Sequence, residues 1–134
     1  MPPGSSPKKV LVVDDDPEMC IFLGHLLDLG GYQNRSASDA TEGLQRLNQE
    51  CSSLILLSLM FDRFGQLQML NELKEDERFR EIPVVLVSHI EENYLYQLRI
   101  LPQISAKGYA HRPDGFLTRP PEADDLFSLL DKLD

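Results

Sequence analysis

The sequence predicts a doubly wound α/β fold: a five-stranded parallel sheet with five helices, layered α/β/α. Three observations carry that prediction. Short unbroken apolar runs recur along the chain, Val10–Val13, Leu54–Leu57 and Val84–Val87, each too brief for a helix and apolar without alternation, as strands buried on both faces are. Segments with helical spacing of leucines separate them. A length of 134 residues leaves room for one core, which at this size buries roughly two thirds of the unfolded surface.

The elements follow in order. Residues 1–7 (MPPGSSP) form a Gly/Pro/Ser tail with nothing to bury, expected to be disordered, so the domain is expected over 8–134. The first strand is Val10–Val13. Asp16 then suits an N-cap and Pro17 the first helical position; Met19, Phe22, Leu23, Leu26 and Leu27 recur on one face, and Gly30-Gly31 stops the helix. Tyr32–Ala37 is expected as a polar edge strand, because Gln33, Asn34 and Arg35 dilute it. Ser38 or Asp39 opens a second helix through Leu44 and Leu47. The strand Leu54–Leu57 precedes a helix marked by Leu67, Leu70 and Leu73; the strand Val84–Val87 precedes one marked by Tyr94, Leu95, Leu98 and Leu101. Gly115–Thr118 is the last strand, and Leu126, Leu129, Leu130 and Leu133 mark the last helix.

Composition narrows the function classes. The chain carries 13 Lys+Arg against 22 Asp+Glu, a net charge of −9, and such a mean field repels nucleic acid and anionic membrane. No apolar run reaches the roughly 18 residues of a membrane span. The two cysteines, Cys20 and Cys51, make no disulfide framework and no signal peptide is visible, so a reducing, cytoplasmic setting is expected, with both thiols packed.

In a doubly wound sheet, sites form where loops leave the carboxyl ends of the strands. After the first strand come Asp14, Asp15 and Asp16; after the third, Ser58; after the fourth, Ser88; after the fifth, Arg119-Pro120. One or two acids there are explained by capping and the helix dipole. Three adjacent carboxylates repel one another, and a hard cation such as Mg²⁺ would relieve this.

Taken together these residues resemble the receiver domains of two-component response regulators. The resemblance runs from Lys8 to Asp134 and rests on four pieces in the right order: Lys9–Pro17 (KVLVVDDDP), Leu54–Met60 (LILLSLM), Ile82–Ser88 (IPVVLVS) and Phe116–Pro120 (FLTRP). It implies flavodoxin-like topology and a non-enzymatic signalling role in a two-component phosphorelay. In the family an Asp ending the third strand accepts a phosphoryl group from a phosphohistidine. Carried over by position, Asp14, Asp15 and the backbone of Met60 would hold Mg²⁺, Ser88 would supply the hydroxyl that meets the phosphoryl oxygens, and Phe116 is the switch aromatic. The resemblance also implies a protein partner, a histidine kinase or a downstream regulator, on the face of the fourth helix, fifth strand and fifth helix, which can equally serve a homodimer.

The departures carry more information than the matches. The acceptor position holds Ser58, the usual Lys is Arg119, the small residue after the hydroxyl is His89, and the Pro expected four residues after the acceptor is Asp62. A serine hydroxyl is no anion at neutral pH and needs an adjacent base to attack phosphorus, and a lost carboxylate weakens the Mg²⁺ site. Arg119, a planar fork suited to carboxylates, is expected to pair with Asp14 or Asp15. The leading expectation is therefore a pseudo-receiver acting by protein–protein contact; the alternative is a functional acceptor modified at Asp62, Asp15 or Ser58. A nucleotide binder lacks a glycine-rich phosphate loop. The interval from Ser88 to Arg119 also exceeds the family's usual one. The extra length falls in Pro102–Asp114, where Lys107, His111 and Arg112 make either a docking element or a tolerated insertion. No output domain follows Asp134, so a stand-alone adaptor or a piece of a larger regulator is expected.

Overall fold

Strand side chains alternate between the two faces of a sheet, and that alternation builds two cores here. In the computed structural model the described residues are 8–58, 65–88 and 113–133, of which 65–68 are described for backbone alone. The strands are β1 (Lys9–Val13), β2 (Gln33–Ala37), β3 (Leu54–Ser58), β4 (Val84–Ser88) and β5 (Gly115–Thr118). All neighbours pair in parallel, in the order β2-β1-β3-β4-β5. The polar segment expected at an edge is the edge strand β2.

Four helices are described: α1 (Pro17–Leu29), α2 (Ala40–Gln49), α3 (Gly65–Glu75) and α4 (Ala123–Lys132). On one face of the sheet Leu11, Val13, Ile55, Leu57, Val84 and Leu86 pack with Leu47 of α2 and Met69, Leu70 and Leu73 of α3. On the other, Val10, Val12, Leu54, Leu56, Val85 and Val87 pack with Leu23 and Leu27 of α1 and Leu126 and Leu130 of α4. The result is the expected doubly wound three-layer sandwich. The helix expected at Tyr94–Leu101 and the tail 1–7 lie outside the described residues, as does most of the Pro102–Asp114 stretch.

Local chemistry sets the element ends. Asp16 in extended backbone caps α1, its carboxylate accepting from the Glu18 amide at 3.0 Å, with Pro17 opening the helix. Asp39, rather than Ser38, caps α2 by accepting from the Glu42 amide at 2.8 Å. After α1 the chain turns at Gly31, whose φ of +82° suits a residue without Cβ. Two packing expectations need correction. Phe22 is 40% exposed, and with Ile21 and Leu29 it places three large apolar side chains on the outer side of α1. Cys51 lies beyond the end of α2 and is exposed, so it does not pack.

The start of β5 is held by a polar staple. Lys74 of α3 donates to Asp114 Oδ2 at 2.8 Å and to the Ile82 carbonyl at 3.1 Å. The same carboxylate oxygen accepts from the Val84 amide at 2.8 Å, and the Asp114 amide donates to the Val84 carbonyl at 2.7 Å.

Candidate site at the strand carboxyl ends

The period-two rule that fills the cores also gathers the polar residues at the strand ends. Asp14, Ser58 and Arg119 continue the parity of Val12, Leu56 and Leu117, which all face the α1–α4 side. Three strands in register thus deliver an acid, a hydroxyl and a guanidinium to one place, beneath the start of α1.

All three are buried: Asp14 is 1% exposed, Ser58 2% and Arg119 9%. The Ser58 hydroxyl donates to Asp14 Oδ2 at 2.5 Å. Asp14 Oδ1 accepts from Arg119 Nη2 at 3.1 Å and from the Asp16 amide at 2.9 Å. Arg119 Nη2 also reaches Asp16 Oδ2 at 3.5 Å. Asp16 therefore caps α1 with one oxygen and meets the guanidinium with the other. Arg119 is set in place by its backbone, whose amide extends the β4–β5 ladder by donating to the Ser88 carbonyl at 2.8 Å; its bond to Pro120 is cis.

Of the residues singled out from sequence, the structure brings Asp14, Ser58 and Arg119 together. Ser88 is fully buried at the end of β4, opposite Thr118 in register. Asp15 is half-buried between Asp14 and Asp16. Phe116 is half-buried and packs against the core beneath α2 and α3. Met60, Asp62, His89, Lys107, His111 and Arg112 lie outside the described residues. The expected partner of Arg119 was Asp14 or Asp15; the pair is made with Asp14 and with Asp16.

Sequence reasoning missed two participants. Asp16 was legible as a cap but not as a second carboxylate for Arg119. The Cys20 thiol, one turn into α1, donates to the Asp14 carbonyl at 3.3 Å. Burial pushes its pKa up, and the Asp14 charge adds to this. The signal was the spacing: a residue at the second turn of a capped helix faces back toward the strand that feeds it.

A doubly wound sheet with a buried acid, hydroxyl and guanidinium in contact at its strand ends defines an α/β module whose polar site is built around β1, β3 and β5. Comparison with known proteins supplies the family. The response regulator receiver domain family model matches residues 10–130. The chain is 28% identical over 122 residues to the DNA-binding dual master transcriptional regulator RpaA of Synechocystis sp., covering 90% of this chain and 46% of that protein. It is 28% identical over 130 residues to response regulator Rre1 of the same organism, covering 96% and 52%. Among solved structures, the Vibrio cholerae chemotaxis protein CheY4 superposes with a TM-score of 0.77 at 19% identity, covering 96% of this chain and all of that one, a likeness of fold. The chain belongs to the response regulator receiver domain family. It spans about half the length of these two curated relatives.

Receiver domains are signalling modules of two-component systems; they interact with histidine kinases and downstream effectors and typically bind Mg²⁺ at the phosphorylation site. Among the described residues the donor set fits that ion poorly. Mg²⁺ demands near-octahedral oxygen ligands at about 2.0–2.1 Å, whereas both oxygens of the buried Asp14 already accept from protein donors, and residue 58 offers a hydroxyl spent on Asp14. Among the described residues no group of three or more His, Cys, Asp or Glu is arranged to hold a metal ion. No described helix is long and apolar enough to cross a membrane.

Proposed function

We propose that this chain is a pseudo-receiver: a receiver domain, over residues 8–134, that signals by contact with a protein partner and takes no phosphoryl group at the usual position. The observation that carries the reading is the Ser58–Asp14 hydrogen bond. Where the family's chemistry needs a free carboxylate, this chain has a buried hydroxyl whose proton is committed to Asp14. Arg119, at the position of the family's Lys, is bound to two carboxylates of the same cluster, so the contact that would otherwise respond to a phosphoryl group is already made.

Partner contact is assigned to the face of the helix expected at Tyr94–Leu101, β5 and α4, with a histidine kinase or a downstream regulator as partner and a homodimer as the competing use. The exposed Ile21, Phe22 and Leu29 on α1 are a second surface to scan, since clustered exposed apolar side chains mark contact sites. The acidic balance of −9 argues against nucleic acid. Two free thiols, Cys20 and Cys51, agree with a reducing, cytoplasmic setting.

A second reading draws on the same contact. A hydroxyl and a carboxylate at 2.5 Å have the geometry of a nucleophile and its base, which would make Ser58 itself the acceptor. Against it, a carboxylate is a weak base toward an alcohol. Incubation of the full chain with a small phosphodonor and Mg²⁺, followed by intact-mass measurement, separates the two. The pseudo-receiver shows no stoichiometric phosphate. A gain of one phosphate per chain overturns it, and peptide mapping then decides among Ser58, Asp15 and Asp62.

A further inference from the structure

We infer that the Arg119 guanidinium is the resident counter-cation of the Asp14–Asp16 cluster, standing in the electrostatic place of a divalent metal, so that the site is complete without one. This goes beyond the proposed function: that reading concerns what residue 58 does, whereas this one concerns what fills the cation position. A receiver with Ser at 58 and an open acidic pair would still take metal.

The argument begins with burial. The Asp14 side chain is 0% exposed and that of Arg119 6%, and a buried carboxylate requires a paired charge or saturating hydrogen bonds. Asp14 has both. One guanidinium nitrogen, Nη2, lies 3.1 Å from Asp14 and 3.5 Å from Asp16, bridging two carboxylates as a metal bridges two ligands. The bridge is not carried on a loose loop. Arg119 continues the β4–β5 ladder through the Ser88 carbonyl, so the charge is positioned by the sheet itself.

A metal entering this site would have to displace Nη2 from Asp14 Oδ1, rotate the Ser58 hydroxyl away from Oδ2, and separate a buried guanidinium from a buried carboxylate. Asp15 and Asp16, both half-buried, keep water as an alternative partner and gain less from a metal. Arginine suits this role better than lysine. Its charge is permanent at any pH the fold survives, and its guanidinium is more weakly hydrated than an ammonium, so burying it costs less.

The test is thermal unfolding of the full chain in EDTA and in ~10 mM MgCl₂, where a millimolar site would raise the melting temperature by about 4–5 °C. The native chain is expected to move by less than about 1 °C, within the error of such a comparison. Arg119→Met, which keeps the stem and removes the charge, is expected to melt lower in EDTA and to recover about 4 °C or more in MgCl₂, because the vacated cluster then needs a cation. A Mg²⁺-dependent rise in the native chain overturns the inference, and so does a folded Arg119→Met variant that gains nothing from Mg²⁺. If that variant does not fold, the decision falls to amide chemical shifts of Asp14–Asp16 in the native chain. Shifts that stay put through a millimolar MgCl₂ titration support the inference; saturable movement overturns it. Phosphate uptake in the mass assay would defeat the pseudo-receiver reading while leaving these metal readouts to stand or fall alone.

Discussion

Replacing Arg119 with alanine removes one partner of a buried pair, and the structure sets the size of the loss. Both side chains are almost fully buried and the contact is 3.1 Å; breaking such a pair from one side costs about 3–5 kcal/mol, because a charge is left behind without its partner. Asp14 keeps two other donors, the Ser58 hydroxyl and the Asp16 amide, which places the expected loss at the low end, about 3 kcal/mol. For a chain of this length the unfolding entropy is on the order of 0.28 kcal/mol/K, so the melting temperature should fall by about 10 °C. Urea unfolding followed by far-UV circular dichroism measures the difference directly, with an unchanged slope showing that the denatured state is not the cause. A matched control is Lys9→Ala, which breaks the exposed ion pair with Glu50. It should move the midpoint far less, and high salt should erase its effect while leaving that of Arg119. A loss below about 1 kcal/mol for Arg119→Ala would place the pair among ordinary surface contacts and refute the reasoning.

Two further outcomes follow from the same site. Ser58→Ala removes a buried donor to a carboxylate and should cost about 2 kcal/mol in the same urea assay, the range for hydrogen bonds to charged groups; a change under about 0.5 kcal/mol would show that the bond contributes nothing net. Burial and the neighbouring Asp14 charge raise the Cys20 pKa, which lowers its thiolate fraction at any given pH, and the thiolate is the reacting form. Alkylation at mildly alkaline pH should therefore modify the exposed Cys51 first, and equal rates, or Cys20 leading, would contradict the described packing around α1.

Much of this architecture was legible in the residues because burial on both faces writes an unmistakable text. Val10–Val13, Leu54–Leu57 and Val84–Val87 have no polar residue to place in solvent, so they had to be central strands. β2 was faint for the opposite reason: an edge strand faces water along one side and tolerates Gln33, Asn34 and Arg35. Phe22 was misassigned because the apolar stripe of α1 is broader than the face that packs; helical spacing selects a stripe, and only the sheet decides which part of it is covered. Asp14 and Arg119 were expected to meet from the family pattern. The share of Asp16 in that contact depends on how a cap residue turns its second oxygen, which no spacing encodes. Lys74 and Asp114, 40 residues apart, carried no local signal at all.

That last pair bears on how the chain tolerates change. Asp114 ties the entry to β5 directly to Val84 and α3, and the Arg119 amide ties its exit to Ser88. The strand is thus registered at both ends by contacts with β4 and α3. Changes at Lys74 or Asp114 therefore reach the register of β5 as directly as changes within the strand itself.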